Sequence, residues 1–455
     1  MAKYLSQGVL SNDLSHMSLY PHLVDLPKSL ALQPLFRLRG RVLESTSLII
    51  RASVPLVSLG ELCHITRSSN LDPLPAQVVG FRENDVFLMP LGDVTGLNSN
   101  SQVIPSAKPF TLRVGYPLLG RVLNGLGGAL DDGPAIDSIQ ELTEWPLHRP
   151  APDPYTRRPV NQPLSLGIRA IDSLLTVGKG QRIGLFSGSG VGKSSLMGQM
   201  VRNTEAKIVV VCLVGERGRE VMEFINGTLK EDGRRKCVTI VATSDTPSLV
   251  RYLSCYVATA IAEWFRDQGE DVLFLMDSAT RFARAQREIG LALGEPPARQ
   301  GYPPSVFAEI PRLMERTGTS DKGSITAIYT VLVQGGDFDE PIADEVRGIL
   351  DGHVVLSRAL ADKGHWPAID ILPSLSRVMN NIIDKKHREA AQKIRSLLAA
   401  YEKSKDLIML GAYKSGSDKV VDTAIKKMPA INTFLQQPIH EKTEYNQAKA
   451  GLMSI

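Results

Sequence analysis

The stretch Gly184–Leu196, which reads GLFSGSGVGKSSL, decides the fold expected for this chain. An apolar strand predicted over Arg182–Phe186 leads into a glycine-rich loop, and a helix is predicted to begin at Lys193. Backbone N–H groups can wrap a phosphate only where side chains are small, and the first turn of a helix adds the positive end of its dipole. The stretch therefore predicts a phosphate-binding loop.

The residues of this loop are candidates for nucleotide binding. They are Gly188, Ser189, Gly190, Val191, Gly192, Lys193, Ser194 and Ser195. Lys193 would reach the β- and γ-phosphates, and the Ser194 hydroxyl would ligate Mg²⁺. The strict pattern G-x-x-x-x-G-K-[ST] requires glycine at position 187, where this chain has Ser187. A purely structural turn is the alternative, but Gly-Lys-Ser at its end and the apolar strand before it favour a nucleotide site.

Length and composition indicate a globular chain with room for two or three domains. It has 455 residues, of which 43% are hydrophobic and 22% are charged. The net charge of +4 is small, so it permits contact with acidic lipid or nucleic acid without arguing for either. The function must be inferred from motifs.

The cysteines and the apolar runs indicate where the protein works. The four cysteines, Cys63, Cys212, Cys237 and Cys255, show no C-x-x-C spacing, and two of them lie in apolar runs. This favours buried, reduced thiols of a cytosolic protein over a metal site. No apolar run approaches the roughly 18 residues that span a bilayer, and the N-terminus lacks a signal-peptide core. We therefore expect a cytoplasmic protein that could act at a membrane only from its surface.

Four segments differ in their sequence pattern. Residues 1–34 have leucines at roughly helical intervals and are either a docking segment for a partner or lipid surface or a disordered terminus. Residues 35–106 alternate apolar and polar residues in short runs, with a turn at 82–85, and predict a small β-barrel that serves assembly. Residues 107–379 are expected to hold the phosphate-binding core. Strand patterns stop after it, so 380–455 predict a helical domain.

Continuous apolar runs of strand length follow the phosphate-binding loop, at 207–214, 237–242 and 271–276. Such runs are typical of strands buried on both faces of a parallel sheet, with helices between them. The order strand, phosphate loop, helix, strand predicts an α/β fold with a P-loop, doubly wound nucleotide core. Helical periodicity over 385–403, and more weakly over 424–435, predicts helices in the last domain.

Two carboxylates stand where predicted strands end. Asp277 ends the third apolar run, and a carboxylate there is placed to hold Mg²⁺ through water. Glu216 follows the first run, where a carboxylate can orient and polarise the water that attacks a γ-phosphate. Its spacing is equally compatible with a surface cluster of ion pairs with Arg217 and Arg219.

Two further residues, Arg377 and Trp366, have no function that their positions alone reveal. An isolated arginine is ordinarily a surface charge. A tryptophan such as Trp366 could stack on a base or fill core space, and core is the usual answer.

Five further motifs stand out: GERGRE (215–220), DSATR (277–281), QREIGLALGEPP (286–297), GYPPSVF (301–307) and P-A-I-D-x-x-x-S-x-S (367–376). Together they resemble the rotary ATPase catalytic family, and within it most closely the type III protein-export ATPases of bacterial flagella and injectisomes. LMERTG (313–318), ILDGHVVLS (349–357) and GAYKSGSD (411–418) also point to the export branch. The similarity runs from about Leu35 to about Gln437, and a small non-glycine residue at position 187 is shared by export ATPases. QREIGLALGEPP and GAYKSGSD slightly favour the flagellar branch.

The resemblance implies a RecA/F1-like core and a role for each matching residue. Lys193 and Ser194 would bind phosphate and Mg²⁺, and Asp277 would hold Mg²⁺ through water. Glu216 resembles the carboxylate that orients the attacking water, and Arg217 would be a supporting charge near the γ-phosphate. Arg377 matches the arginine finger that is donated into a neighbouring subunit's site. Trp366 stands where the family usually has tyrosine or phenylalanine against the adenine.

The resemblance also implies the assembly and its partners. Phosphate loop, Glu216 and Arg377 are all present in one polypeptide, so identical copies can complete each other's sites in a closed ring. We expect a homohexamer that hydrolyses ATP with Mg²⁺ and energises type III export at the cytoplasmic face of the inner membrane. The implied partners are a stator-like regulator at the N-terminus, a coiled-coil stalk in the pore, and chaperone–substrate complexes near the C-terminal helices.

Three alternatives remain compatible with the core motifs. A rotary ATPase β-type subunit coupled to ion transport would need a non-identical partner. A ring-shaped RNA helicase would need an aromatic and basic surface in the barrel, but 35–105 contain only Phe36, Phe81 and Phe87 as aromatics, without basic clusters around them, so no nucleic-acid partner is expected. A non-hydrolysing paralogue is disfavoured because the chain retains all four residues expected to act in hydrolysis: Lys193, Glu216, Asp277 and Arg377.

Overall fold

The computed structural model describes residues 38–68, 71–333 and 338–455, so the expected docking segment 1–34 lies outside the described residues. The described chain forms two compact units. One consists of 38–88 with 94–107, and the other of 89–93 with 108–455.

The first unit is a closed six-stranded barrel with the neighbour order β1-β2-β5-β4-β3-β6. Its strands are β1 (Gly40–Ser45), β2 (Ile50–Ser53), β3 (Leu62–Ile65), β4 (Leu74–Arg82), β5 (Asp85–Pro90) and β6 (Gln102–Pro105). Buried residues alternate with exposed ones along β1, β2 and β3, because successive side chains point to opposite faces of a strand. The barrel predicted from this alternation is confirmed.

The second unit is built on a nine-stranded sheet with the order β17-β16-β10-β15-β13-β11-β12-β8, with β14 beside β15, while β7 and β9 pair separately. The strands are β7 (Thr111–Val114), β8 (Val122–Asn124), β9 (Thr143–Pro146), β10 (Arg182–Ser187), β11 (Ile208–Glu216), β12 (Cys237–Thr243), β13 (Asp271–Asp277), β14 (Gly318–Thr319), β15 (Ser324–Leu332), β16 (Gly352–Leu356) and β17 (Ile369–Ser376).

Helices cover the faces of this sheet and form the C-terminal part of the chain. They are α1 (Arg169–Leu174), α2 (Lys193–Asn203), α3 (Gly218–Met222), α4 (Lys230–Arg235), α5 (Ser248–Asp267), α6 (Ala279–Ala292), α7 (Pro304–Met314), α8 (Pro341–Ile349), α9 (Arg358–Ala361), α10 (Met379–Ile382), α11 (Lys385–Met409), α12 (Lys419–Leu435) and α13 (Tyr445–Ser454). A π-helical segment, Glu223–Leu229, joins α3 to α4. Short 3-10 turns occur at Tyr116–Leu118, Ile136–Ser138, Pro154–Thr156 and Arg299–Gly301.

The central strands are parallel, so their carboxyl ends meet at one edge of the sheet. All nine residues of β11 are buried, as its continuous apolar sequence predicted. β10, β15, β13, β11 and β12 run in the same direction, whereas the edge strand β17 is antiparallel to β16. The doubly wound α/β core is confirmed, and this edge carries the site described below.

The C-terminal helices pack on the second unit. α11 packs against α12, and α13 contacts α1 and α11. The apolar residues of α11 and α12 that are buried, such as Ile394 and Ile431, join the hydrophobic core of the sheet. No helix among the described residues is both long and apolar enough to cross a membrane. All four cysteines are buried and form no disulfide.

Candidate active site

The phosphate-binding loop connects β10 to α2, as predicted. Gly190 and Gly192 have φ angles of 77° and 81°, in the left-handed region that residues with a Cβ rarely adopt. A Cβ on Gly192 would also lie 2.8 Å from the ring of Trp366. Both positions therefore require glycine, and the loop keeps its backbone open to a ligand.

Three charged side chains meet where β10, β11 and β13 end. The Nζ of Lys193 lies 2.5 Å from Oδ1 of Asp277 and 3.7 Å from Oε1 of Glu216. The Thr330 hydroxyl of β15 donates to the same Asp277 oxygen at 2.7 Å. The three charged side chains are 13%, 4% and 9% exposed, so their charges act in a poorly hydrated pocket. The structure thus brings together the three residues that the sequence predicted to work on phosphate.

The two carboxylate oxygens of Glu216 differ in their contacts: one pairs with an arginine and the other has no hydrogen-bond partner among the described residues. Its Oε2 lies 3.1 Å from the guanidinium of Arg281, whereas the buried Oε1 has no hydrogen bond to the described residues. Burial raises the pKa of Glu216 to about 7, with the Asp277 carboxylate adding to the rise and Lys193 and Arg281 opposing it. A buried acceptor with a free lone pair beside the phosphate loop is suited to hold a water molecule.

Arg217 does not join this cluster. Its side chain is 76% exposed and pairs with Glu220 at 3.1 Å, on the first turn of α3. The guanidinium that contacts Glu216 belongs instead to Arg281, in the first turn of α6. Arg281 belongs to the DSATR motif but was not among the predicted site residues, and its place four residues after the strand-end carboxylate Asp277 was the signal that could have identified it.

The donor set fits a magnesium ion accompanying a bound nucleotide. The Ser194 side chain is exposed, and the buried Asp277 carboxylate is hydrogen-bonded to Lys193 and Thr330. Hydroxyl and carboxylate oxygens are ligands that Mg²⁺ prefers, usually with several waters retained. These two residues would hold the ion.

A cavity of about 570 Å³ adjoins the phosphate loop. Its lining includes Gly192, Ser195, Gln199, Trp366 and residues 436–439. Trp366 is 43% exposed, so it faces this cavity and is not a core residue. The size of the cavity and its mixture of apolar and amide groups suit a nucleobase. Trp366 was expected at the base from its family resemblance, whereas Gln199 and residues 436–439, which follow α12, were not predicted.

Arg377 lies at the opposite edge of the sheet from the phosphate loop. It follows β17, whose last residue, Ser376, pairs with Gly352 at the start of β16. Leu356, at the other end of β16, pairs with Ser187 at the start of the loop. Gly352 and Leu356 are four residues apart along β16, which corresponds to about 13 Å at the usual rise of a strand. The exposed Arg377 side chain therefore does not reach the phosphate loop of its own chain.

One more side chain supports the loop from outside. Arg358, in the first turn of α9, donates from its guanidinium to the carbonyl of Ser189 at 2.8 Å. This bond holds the tip of the loop. No local sequence pattern predicted it.

Two family models match the chain. The ATP synthase alpha/beta family nucleotide-binding domain covers residues 167–376, and the C-terminal domain of the type III secretion ATPase EscN covers residues 383–454. The first match contains the phosphate loop and all three charged residues of the cluster. The second contains α11, α12 and α13.

Curated relatives match over almost their whole length. The chain is 49% identical to the flagellum-specific ATP synthase of Bacillus subtilis (strain 168), covering 91% of this chain and 94% of the relative. It is 48% identical to the type 3 secretion system ATPase of Xanthomonas euvesicatoria, covering 94% and 97%.

Among solved structures, the assembled ATPase EscN from the type III secretion system of enteropathogenic E. coli matches with a TM-score of 0.86, at 44% identity over 91% of this chain and 99% of that chain. The same ATPase in complex with its central stalk EscO matches with a TM-score of 0.84, at the same identity and coverage.

Proposed function

Since the chain belongs to the family of type III protein-export ATPases, we propose that it hydrolyses ATP with Mg²⁺ to energise protein export. Relatives from flagella and from injectisomes match at nearly the same identity, so export is the activity common to both. The observation that carries the chemistry is the buried cluster of Lys193, Asp277 and Glu216 at the phosphate loop.

Each residue of the cluster has a distinct task in this mechanism. Lys193 exchanges its contact with Asp277 for the β- and γ-phosphates, whose negative charge it balances. Glu216 accepts a hydrogen bond from the attacking water at its free Oε1, while Arg281 fixes the carboxylate through Oε2. Mg²⁺, when bound, supplies charge neutralisation at the phosphate oxygens.

The site is completed in our proposal by Arg377 from a neighbouring copy. Its exposure and its position at the far edge of the sheet support a role outside its own site. A homo-oligomer is also in keeping with the assembled EscN structure. We propose a homohexamer, in which each interface joins one phosphate loop to one Arg377.

The acid limb of the pH–rate profile is expected to report Glu216. The carboxylate must be ionised to accept from water, and burial raises its pKa to about 7, so kcat/KM should fall as the pH falls through that value. Arg281 lowers this pKa. Replacing Arg281 with glutamine should therefore move the acid limb of kcat/KM to higher pH, by about one unit.

The profiles of wild type and Arg281→Gln are compared at the same Mg-ATP concentrations, so the titration of ATP itself affects both equally. The conservative Arg281→Lys keeps the positive charge, so its acid limb should stay close to that of the wild type. Acid limbs that coincide in wild type and Arg281→Gln would contradict the assignment of that limb to Glu216.

Trp366 is expected to bind the base by stacking. Trp366→Ala should raise the Kd for Mg-ATP by about tenfold or more, since aromatic stacking on a base contributes about 1–3 kcal/mol. Trp366→Phe keeps a ring and should change the Kd by less than about threefold. Equilibrium titration with a fluorescent ATP analogue measures both, and an alanine variant with wild-type affinity would remove Trp366 from the base site.

The remaining partners are proposed from the family. Leu407, Met409 and Leu410 stand exposed by 51%, 76% and 80% at the tip of the α11–α12 pair, a suitable apolar contact for the coiled-coil stalk. A stator-like regulator would bind the N-terminal segment, and chaperone–substrate complexes would bind near the C-terminal helices. We propose that the ring works in the cytoplasm, at the inner face of the membrane.

The export function is tested by deleting the gene for this chain in its own bacterium and measuring the proteins that are exported to the medium. We expect export to fall sharply and to return with the wild-type chain, but not with Lys193→Ala, which loses the phosphate-binding cation. Normal export without the chain, with changed ion-driven ATP synthesis instead, would favour the rotary β-type alternative.

A further inference from the structure

The wall of the base cavity formed by residues 436–439, here called the base wall, has almost no regular structure of its own. It lies between the end of α12 at Leu435 and the start of α13 at Tyr445. Its residues Gln436, Pro438 and Ile439 are exposed on the cavity side. An irregular segment holds one shape only if other groups satisfy its backbone. The groups that do so decide the shape of the pocket.

The side chains of Gln199 and Arg202 donate to the carbonyls of Pro438 and Ile439, and Arg169 holds the segment at more points than either. From the first position of α1, its Nε donates to the carbonyl of Phe434 at 3.0 Å, and its guanidinium donates to the carbonyl of Gln436 at 2.5 Å. The same guanidinium forms an ion pair with Glu441 just beyond the wall. Arg169 therefore binds the segment before, within and after the base wall. Its side chain is only 19% exposed, so these contacts are largely shielded from water.

Gln437 connects Arg169 to Trp366, which also lines the cavity. Its buried side-chain amide accepts from the backbone N–H of Arg169 at 2.8 Å and donates to the carbonyl of Gly167 at 2.9 Å. Its own backbone N–H donates to the carbonyl of Trp366 at 2.9 Å. The stacking residue and the base wall are thus positioned by one connected set of hydrogen bonds that begins at Arg169.

We propose that Arg169 is a positioning residue that sets the affinity of the site for the nucleobase, as distinct from the phosphates. Within the described parts of the chain, the Arg169 side chain has no hydrogen bond or ion pair with the phosphate loop or with the three charged residues of the cluster. Its loss should therefore loosen only the base wall. This inference rests on the proposed ATPase function, because it assumes that the cavity receives the base of ATP.

The guanidinium has the geometry that this task needs. It presents several donors in a rigid plane and can serve two carbonyls and a carboxylate at once, whereas a lysine ammonium is a point charge on a flexible stem. Arg169→Lys should keep the attraction to Glu441 but lose the fixed pair of bonds to Phe434 and Gln436. An intermediate phenotype is expected for it.

The test compares two probes, Mg-ATP and inorganic magnesium tripolyphosphate, which shares the phosphates but has no base. We expect Arg169→Ala to raise the Kd for Mg-ATP by about tenfold, with the Kd for tripolyphosphate changed by less than about twofold. Arg169→Lys should raise the Kd for Mg-ATP by about threefold. Rate at saturating Mg-ATP should stay near the wild-type value, because the reacting groups are intact.

Arg113 provides a matched control. Its guanidinium donates to three backbone carbonyls, those of Asp137, Ile139 and Leu142, at 2.7, 2.8 and 3.1 Å. These bonds lie beside the β7–β9 pair, away from the cavity. Arg113→Ala should leave both dissociation constants unchanged.

The outcomes separate this inference from the proposed function. Wild-type hydrolysis of Mg-ATP is measured first, and its absence would remove the proposed function itself. With wild-type hydrolysis present, equal weakening of both probes in Arg169→Ala, or no weakening of either, would overturn the inference alone. If Arg169→Ala does not fold, Arg169→Lys decides: wild-type affinity for Mg-ATP in that variant would overturn it.

Discussion

Glu216→Gln is expected to lower kcat for ATP hydrolysis by about 10³-fold while Mg-ATP still binds. Glutamine has nearly the same size and keeps an oxygen, but it cannot supply the negative charge that polarises the attacking water. Binding should persist because the nucleotide contacts come from the phosphate loop and the base cavity. The raised pKa of Glu216 also indicates that its pocket accepts a neutral side chain. Steady-state kcat and equilibrium titration with Mg-ATP measure the two effects separately.

The neighbouring Glu220 supplies the control for this prediction. It lies one turn along the chain, in α3, pairs with Arg217 at 3.1 Å and contributes to the raised pKa of Glu216. Glu220→Gln removes a nearby carboxylate without touching the proposed water position, so its kcat should fall less than about tenfold. Near-normal turnover in Glu216→Gln, or an equal loss in Glu220→Gln, would contradict the role given to Glu216.

Arg377→Ala is expected to reduce kcat by about 10³-fold or more, the range found for arginine fingers. The side chain is exposed and has no hydrogen bond or ion pair within the described parts of the chain, so its removal should not unfold the protein. The defect should also be repaired across subunits. Mixing Arg377→Ala with Lys193→Ala places an intact Lys193 of one copy beside an intact Arg377 of the next, and activity should rise above that of either variant.

A second mixture shows whether such recovery is specific. Lys193 and Glu216 lie 3.7 Å apart in one site, so Lys193→Ala and Glu216→Gln damage the same half of the interface. Their mixture should show no recovery at any ratio. Recovery in this mixture, or none in the mixture of Arg377→Ala with Lys193→Ala, would contradict donation of Arg377 across the interface.

The core of the site could be predicted because its residues belong to local patterns. A strand followed by Gly-Lys-Ser, and carboxylates at the ends of apolar runs, place Lys193, Asp277 and Glu216 at one edge whenever the strands are parallel. Each of these features, the phosphate loop and the carboxylate at a strand end, is determined by a few consecutive residues. The fold class followed from the same runs.

The rest of the site depends on contacts between residues far apart in the chain, which no local pattern records. Arg169 meets residues 434–441 through the packing of the C-terminal helices on α1. Arg217 and Arg281 are both arginines near a strand end, and only the direction of α3 and α6 decides which reaches Glu216. The base wall was missed for the same reason, since 436–439 have neither periodicity nor a charged motif.

The central claim is that copies of this single chain complete one another's sites, and its most direct test is the ATPase rate per chain against protein concentration, with the mass of the assembly measured in the same samples. We predict a steep rise in rate that coincides with the formation of a ring by this chain alone. If the rate per chain is already maximal in the monomer and does not change as rings form, the claim is contradicted. Arg377 of a neighbouring copy would then have no part in the active site.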